Sequence, residues 1–264
     1  VVTSNALATK AGEKILAEGG NAYDAATTIS AMLSVVEPFA SGFGGGAFWL
    51  IYDAKSKKYT MLDARETAPL KSHKNMYLDE NANVIKNMST LGPLSAGIPG
   101  IPAVLGYVND KYGSKKLSTL LDPAYEAAIN GFPVNERYLK GAKYKRKWLK
   151  KYKETEAIFL HKGEVPKKGW ILKQTDLART IKKLMKDGHR SFYTGSLAKK
   201  MVESVQNNGG IWSEEDLNSY KVLEREPVRS TYKGISIIAP GLPSSGGLVL
   251  SNALNILAGY ELDK

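Results

Sequence analysis

The sequence predicts an α+β fold, with helices layered on mainly antiparallel sheet. The elements come in the order helices, hairpin, helices, hairpin, helix, without the regular strand–helix–strand alternation that builds a parallel sheet. The first two helical segments follow each other directly and suit one layer packed on something flat. At 264 residues and 43% hydrophobic content the chain can bury a substantial core. No linker or solenoid repeat divides it, so residues 1–264 are expected to form a single domain.

Residues 5–18, NALATKAGEKILAE, are amphipathic at helical spacing, with Leu7, Ala11, Ile15 and Leu16 on one face and Gly19-Gly20 as the stop. Asn21 to Val36 reads as a second, more apolar helix. Asp24 lies in its first turn, where the helix dipole favours negative charge, and Pro38 follows its end. AFWLIYD from Ala47, then AKSKK, then YTMLDAR reads as two strands joined by a polar turn. Residues 66–100 have little periodicity and are expected to be irregular. Pro102–Tyr112 is a short helix closed by Gly113, and Lys116–Asn130 another, kinked or split by Pro123. Thr175-Asp176 is expected to cap a helix running to Asp187, and Ser196 the next, which stops at Gly209-Gly210. Ser213 with Asp216 forms a capping-box pattern. REPVRSTYKGISIIAPG reads as strand, turn at Lys233-Gly234, strand. PSSGG follows, a tight turn rather than an anion nest, before a last helix at Leu248–Leu257. The strands at 47–52 and 235–239 are expected to be buried between layers.

Composition excludes several chemistries. Cysteine is absent, which removes disulfides, thiolate-bound zinc and a Cys nucleophile. The three histidines are scattered at 73, 161 and 189, so no metal site is expected, and no cofactor. No window reaches the length of a membrane span. The start VVTSNALATK has neither Met nor a signal-peptide pattern and is expected to result from processing or a missing leader. The net charge of +11, from 37 Lys and Arg against 26 Asp and Glu, suits either simple solubility or an anionic partner.

Two short stretches raise questions of function. In SGFGGGAFWLIYD, residues 41–53, Gly42, Gly44 and Ala47 formally fit a dinucleotide fingerprint. That fingerprint must follow a strand and open a helix; here a helix precedes and a strand follows, so nucleotide binding is rejected. The glycines either supply positive φ for a sharp turn into a crowded strand or line a site with bare backbone. In DARETAP, residues 63–69, alternation puts Asp63 and Arg65 on one face. Arg65 either grips a ligand carboxylate with paired hydrogen bonds or is tied up locally by Asp63 or Glu66.

The motifs add up. GGNAYDAA at 19–26, VVEPFASGFGGGAFWLIYDAK at 35–55, DARETAP at 63–69 and AGIPGIPAVLGYV at 96–108 are followed by NGFPV at 130–134, QTDLART at 174–180 and FYTGSLAKKMV at 192–202. NGGIWSEEDLNSY at 208–220, REPVRSTYKG at 225–234 and PSSGGLVLSNALNILAGYEL at 243–262 complete the set. In this order, and over nearly the whole chain, they resemble the large subunit of the γ-glutamyltranspeptidase family. The resemblance implies an N-terminal nucleophile hydrolase fold, a four-layer αββα sandwich completed by a partner small subunit. In that family a precursor cleaves itself, and the new N-terminal Thr of the small subunit attacks a γ-glutamyl amide with its own α-amine as base. The acyl group then passes to water or an amine. The present sequence stops at GYELDK, short of the family's Thr-Thr-His stretch, so a C-terminal tail is expected to be missing. Thr27, Thr28 and Thr67 match no catalytic position, and no catalytic residue is expected in this chain. Ser244-Ser245 are not the family's catalytic serines, which belong to the other subunit. Arg65 falls where the family's motif places the arginine that binds the substrate's α-carboxylate. The resemblance also implies an extracellular or cell-surface location.

Residues 140–153, KGAKYKRKWLKKYK, are basic at eight of fourteen positions. Tyr144, Trp148 and Tyr152 fall on one helical face. Either the aromatics pack down and the lysines are solvated, or the stripe collects a polyanion. Lys143, Lys145, Arg146, Lys147, Lys150 and Lys151 are the candidate contacts. Because some family members act on poly-γ-glutamate, a capsule polymer, the resemblance points to that polymer as a partner rather than to nucleic acid. A glutathione-type γ-glutamyltranspeptidase and a non-catalytic basic polyanion-binding module remain alternatives, as does a relative that has lost the reaction.

Overall fold

A computed structural model of the chain describes residues 1–261, so Leu262 and the two residues after it, the end of the expected domain, lie outside the described residues. Helix α1 spans Ala6–Ala17 and α2 spans Ala22–Val36. Asn5 caps α1 by accepting from the Leu7 N–H at 3.0 Å. The buried face of α1 is Ala8, Ala11, Gly12 and Ile15, whereas Leu7 and Leu16 are exposed. The expected face is therefore rotated: small residues meet α2, and Gly12 leaves the space that Ile29 fills.

Asn21 and Asp24 form a reciprocal capping box at the start of α2. Asp24 is buried and accepts four hydrogen bonds, from the Asn21 N–H (2.9 Å), the Ser114 N–H (3.0 Å) and hydroxyl (2.5 Å), and the Lys115 N–H (3.3 Å). Burial works to raise its carboxyl pKa, but the bonds from Ser114, Asn21 and Lys115 outweigh it and hold the carboxyl below its ordinary value. A depressed folded pKa means that this stabilisation is full above the unfolded value and fades as pH falls through the folded one. Asp24→Ala is expected to cost about 2–3 kcal/mol at pH 7 in chemical denaturation, with the difference from wild type shrinking in acid.

Strands β1 (Ala47–Asp53) and β2 (Lys58–Ala64) pair antiparallel from Ala47↔Ala64 to Asp53↔Lys58, as the alternation predicts. Residues 66–100 are irregular apart from a 3₁₀ turn at Pro93–Ser95 and isolated bridges such as Thr67↔Ile98. Helix α3 is Ile101–Tyr112, with Pro102 in its first turn, and α4 is Leu117–Asn130, which runs unbroken through Pro123. β3 (Phe132–Pro133) and α5 (Glu136–Leu149) follow, then α6 (Lys153–Phe159) and β4 (Ile171–Leu172), which pairs with β3.

Helix α7 is Thr175–Asp187, but its cap is Gln174, whose side chain instead donates to the Val35 carbonyl at 2.8 Å. Helix α8 is Gly195–Asn207, with Thr194 rather than Ser196 at the cap position; the Thr194 hydroxyl bonds back to the Arg190 carbonyl. The Ser213–Asp216 capping box opens α9 (Glu214–Ser219) as expected. β5 (Leu223–Arg225) joins β2 to make a three-stranded antiparallel sheet in the order β1-β2-β5. β6 (Val228–Tyr232) and β7 (Ile235–Ala239) form the expected hairpin about Lys233-Gly234. PSSGG makes a tight turn against this hairpin, since a side chain at Gly247 would strike Ala239 and the Pro240 carbonyl, and α10 (Gly246–Leu257) closes the described chain.

The main core gathers α1, α2, α4, α5, α7 and α8 around Val35, Leu121, Leu172, Ile181 and Tyr193. A second cluster packs Val104 and Val108 of α3 on Ile51, Leu62 and Ala64 of the sheet. The expected burial of 47–52 and 235–239 is corrected. In β1 only Ile51 is buried, and in β7 Ile235 is 66% exposed. The physical reason is one-sided cover: α3 packs on the β1–β2 sheet and α10 on the β6–β7 hairpin, which leaves Leu50, Tyr52 and Ile235 exposed. The apolar side chains of α10, Val249 and Ile256 among them, are likewise exposed.

Candidate substrate-binding site

The site begins with the glycine run. None of Gly42, Gly44, Gly45 and Gly46 has a positive φ, so the expectation of left-handed turns is not met. The requirement is close approach. A Cβ on Gly46 would stand 2.6 Å from the Ala64 carbonyl oxygen and 2.7 Å from the Glu66 nitrogen and Oε2. A Cβ on Gly97 would stand 2.8 Å from that of Glu66. The Gly45 carbonyl accepts from Gly100 (2.9 Å) and Ile101 (3.0 Å), and residues 67 and 98 exchange backbone bonds. Three backbone segments, at 45–46, 64–67 and 97–101, thus meet without side chains between them at the end of β2.

Arg65 is the first residue past that strand end. Its N–H donates to Asp63 Oδ1 at 3.0 Å, and its carbonyl accepts from the Tyr220 hydroxyl at 2.9 Å. Asp63 Oδ2 accepts from Arg225 Nε at 2.7 Å. The chain leaves the ladder at Ala64, so Asp63 is buried and Arg65 exposed; the shared face inferred from alternation does not persist. Among the described residues no carboxylate pairs with the Arg65 guanidinium, which stands 6.0 Å from the Phe48 ring centre. The local ion pair with Asp63 or Glu66, the alternative left open by the sequence, is absent.

Behind Arg65, Tyr220 is buried and stacks on Tyr193 with ring centres 5.6 Å apart. Tyr193 donates to the Pro99 carbonyl (2.8 Å) and accepts from the Ala103 N–H (3.0 Å). Arg190 braces the same turn by donating to the Asn218 carbonyl at 2.8 Å. Burial, with the Asp63 and Glu66 carboxylates adding to it, pushes the Tyr220 phenol well above its ordinary value, so it remains a donor at any working pH. Asp216 Oδ1 takes the Leu70 N–H at 2.6 Å, and Trp212 Nε1 donates to the Ala96 carbonyl at 2.9 Å, fixing the loop on either side.

Beside this junction a groove of about 740 Å³ runs between α2 and β1, lined by Leu33, Phe39, Gly44, Gly46, Phe48 and Glu66. Glu66, which the sequence offered only as a local ion-pair partner for Arg65, lines this groove instead. The arrangement presents an exposed guanidinium without an ion-pair partner among the described residues, on backbone held at both its N–H and its carbonyl; Glu66, the next residue, lines the groove, and Arg65 does not. Such a guanidinium suits a planar carboxylate taken through two parallel hydrogen bonds.

The basic stripe lies on α5 and the turn that follows it. α5 ends at Leu149, and Tyr152 is the cap of α6, so Tyr144, Trp148 and Tyr152 do not share one helix. Tyr144 is 82% exposed and does not pack down. Arg146 pairs with Glu164, and Lys150 lies 4.0 Å from it. Lys143, Lys145, Lys147 and Lys151 are exposed and make no ion pair among the described residues; Lys147 and Lys151 both lie over the Trp148 ring.

The Gamma-glutamyltranspeptidase family model matches residues 8–264. A "Glutathione hydrolase proenzyme" of Pseudomonas sp. (strain A14) is 41% identical over 99% of the chain and 46% of its own length. The protein of that name from Escherichia coli (strain K12) is 37% identical over 100% of the chain and 46% of its own length. The chain therefore spans about half the length of these relatives. Among solved structures, Helicobacter pylori γ-glutamyltranspeptidase superposes with a TM-score of 0.96 at 41% identity, covering 99% of this chain and 75% of that one. The Bacillus anthracis transpeptidase CapD superposes at 0.82 and 34% identity, covering 98% and 81%. The α+β fold is thus that of an N-terminal nucleophile hydrolase, and the chain belongs to the γ-glutamyltranspeptidase family.

Proposed function

We propose that this chain is the carboxylate-binding large-subunit half of an enzyme that cleaves γ-glutamyl amides and transfers the acyl group to water or an amine. The observation that carries the proposal is the guanidinium of Arg65 at the end of β2, without an ion-pair partner among the described residues and carried on backbone held at both N–H and carbonyl. In this reading Arg65 holds the donor's α-carboxylate, which places the γ-carbonyl before the N-terminal Thr of a small subunit cut from the same precursor. The Thr hydroxyl forms an ester as the amide C–N bond breaks, and its proton passes through the α-amine to the leaving amine. Water or an acceptor amine then takes the acyl group and restores the hydroxyl. The name proenzyme on the relatives supports a precursor, and the uncovered apolar faces of β7 and α10 support a partner that completes the sandwich. An extracellular or cell-surface location belongs to the same proposal. No helix among the described residues is long and apolar enough to cross a membrane.

Glutathione-like donors agree with the names of the relatives. A second reading, with poly-γ-glutamate as donor, is favoured by the unpaired lysines of α5. A groove of about 350 Å³ lined by Tyr144 and Lys145 shares Pro38 and Phe39 with the larger groove beside Glu66. Incubating the assembled pair with γ-glutamyl-p-nitroanilide, glutathione and poly-γ-glutamate tests both readings. Raising NaCl from about 0.05 to 0.5 M should raise KM for the polymer several-fold and leave the small donors nearly unchanged, because exposed charges are screened. Replacing Lys143, Lys145, Lys147 and Lys151 by Gln should reproduce that effect. Equal salt dependence for all donors would remove the polymer reading, and no turnover of any of them would remove the activity.

A further inference from the structure

Arg65 could be lost to its own neighbourhood. Asp63 lies two residues away and is 8% exposed at its side chain, a poorly hydrated carboxylate that calls for a cationic partner. The structure shows what occupies it. Arg225, from β5, sits opposite Met61 in the ladder and donates Nε to Asp63 Oδ2 at 2.7 Å. Asp63 Oδ1 holds the Arg65 N–H at 3.0 Å. Tyr220 holds the Arg65 carbonyl from the opposite end of the same residue at 2.9 Å. Its ring is fixed by stacking on Tyr193, and bare backbone at Gly100 gives the hydroxyl room to arrive.

We propose that Tyr220 and Arg225 are positioning residues for Arg65: Tyr220 fixes its backbone, and Arg225 occupies the carboxylate that would otherwise capture its guanidinium. The proposal rests on the reading of Arg65 as the α-carboxylate ligand. It adds that the guanidinium is available only because a second arginine, distant in sequence, neutralises Asp63. Neither positioning residue touches the donor. Both act through KM for donors that carry an α-carboxylate.

The test is a set of mutant cycles on the assembled two-subunit enzyme, with γ-glutamyl-p-nitroanilide as donor. Tyr220→Phe removes one hydrogen bond and should raise KM about three- to tenfold with kcat nearly unchanged. In the Arg65→Ala background the same change should have no further effect on KM, because its target is gone. Arg225→Gln should also raise KM, and adding Asp63→Asn should restore it by removing the competing charge. A purely structural role predicts otherwise: losses that add in the Arg65→Ala background, and no rescue of Arg225→Gln by Asp63→Asn. Either result would overturn the proposal. If Tyr220→Phe fails to assemble, the Arg225–Asp63 pair decides alone. An unchanged KM for Arg65→Ala itself would instead sink the reading of Arg65, a distinguishable failure.

Discussion

Arg65→Ala should raise KM for an α-carboxylate-bearing donor about ten- to hundredfold, corresponding to roughly 1.5–3 kcal/mol for a lost charge-assisted contact. The effect should fall mainly on binding, because Arg65 contacts a part of the donor that does not change during acyl transfer. The structure makes the prediction clean. The guanidinium has no ion-pair partner among the described residues, so its removal leaves no orphaned carboxylate. Asp63 keeps Arg225, and the backbone bonds of residue 65 to Asp63 and Tyr220 do not involve its side chain. Thermal stability should therefore be near wild type. Steady-state kinetics with γ-glutamyl-p-nitroanilide checks this; a normal KM, or a large loss of stability, would contradict it.

Gly100→Ala should disrupt the same junction by packing alone. A Cβ at Gly100 would fall on the Ala64 carbonyl oxygen and the Tyr220 hydroxyl. Neither can yield cheaply. The carbonyl belongs to the strand end that carries Arg65, and the phenol is buried and stacked. The Gly100 N–H also bonds the Gly45 carbonyl, so movement would propagate to the glycine run. A cost of about 3 kcal/mol is expected, at the upper end for inserting a methyl into a packed site. Gly44→Ala is the matched control: its Cβ would meet nothing within 4 Å, its φ is not positive, and its stability should change little. Thermal unfolding of both variants tests the contrast, and equal melting temperatures would refute the close-approach explanation.

The parts of this fold that were legible in the sequence are local. Asn21 with Asp24 and Ser213 with Asp216 announce helix starts because both partners lie within one turn. The β1–β2 hairpin announces itself by alternation and a polar turn. By contrast β3, β4 and β5 have two or three residues each, too few for any period, and exist only because distant chain offers an edge. The caps of α7 and α8 were misplaced because position alone does not reveal which bond a polar side chain prefers. The glycine run was conspicuous by composition, yet its reason resides in Ala64 and Glu66, which only the fold brings near.

The same division holds at the site. Arg65 could be singled out from DARETAP, but its freedom could not. That depends on Arg225, 162 residues from Asp63, and on Tyr220, 155 residues from Arg65. Tyr144 looked like a packed aromatic from its spacing and is exposed, since α5 turns Tyr138 and Ala142 inward instead.

The most direct measurement compares donor turnover by residues 1–264 alone with turnover by the same chain assembled with the remainder of its precursor, while sequencing the N-terminus of the second chain. Turnover only in the assembled pair, with Thr at that new N-terminus, is the predicted result. Full turnover by the 264-residue chain alone, or an active pair whose second chain begins with another residue, would contradict a half-site that borrows its nucleophile.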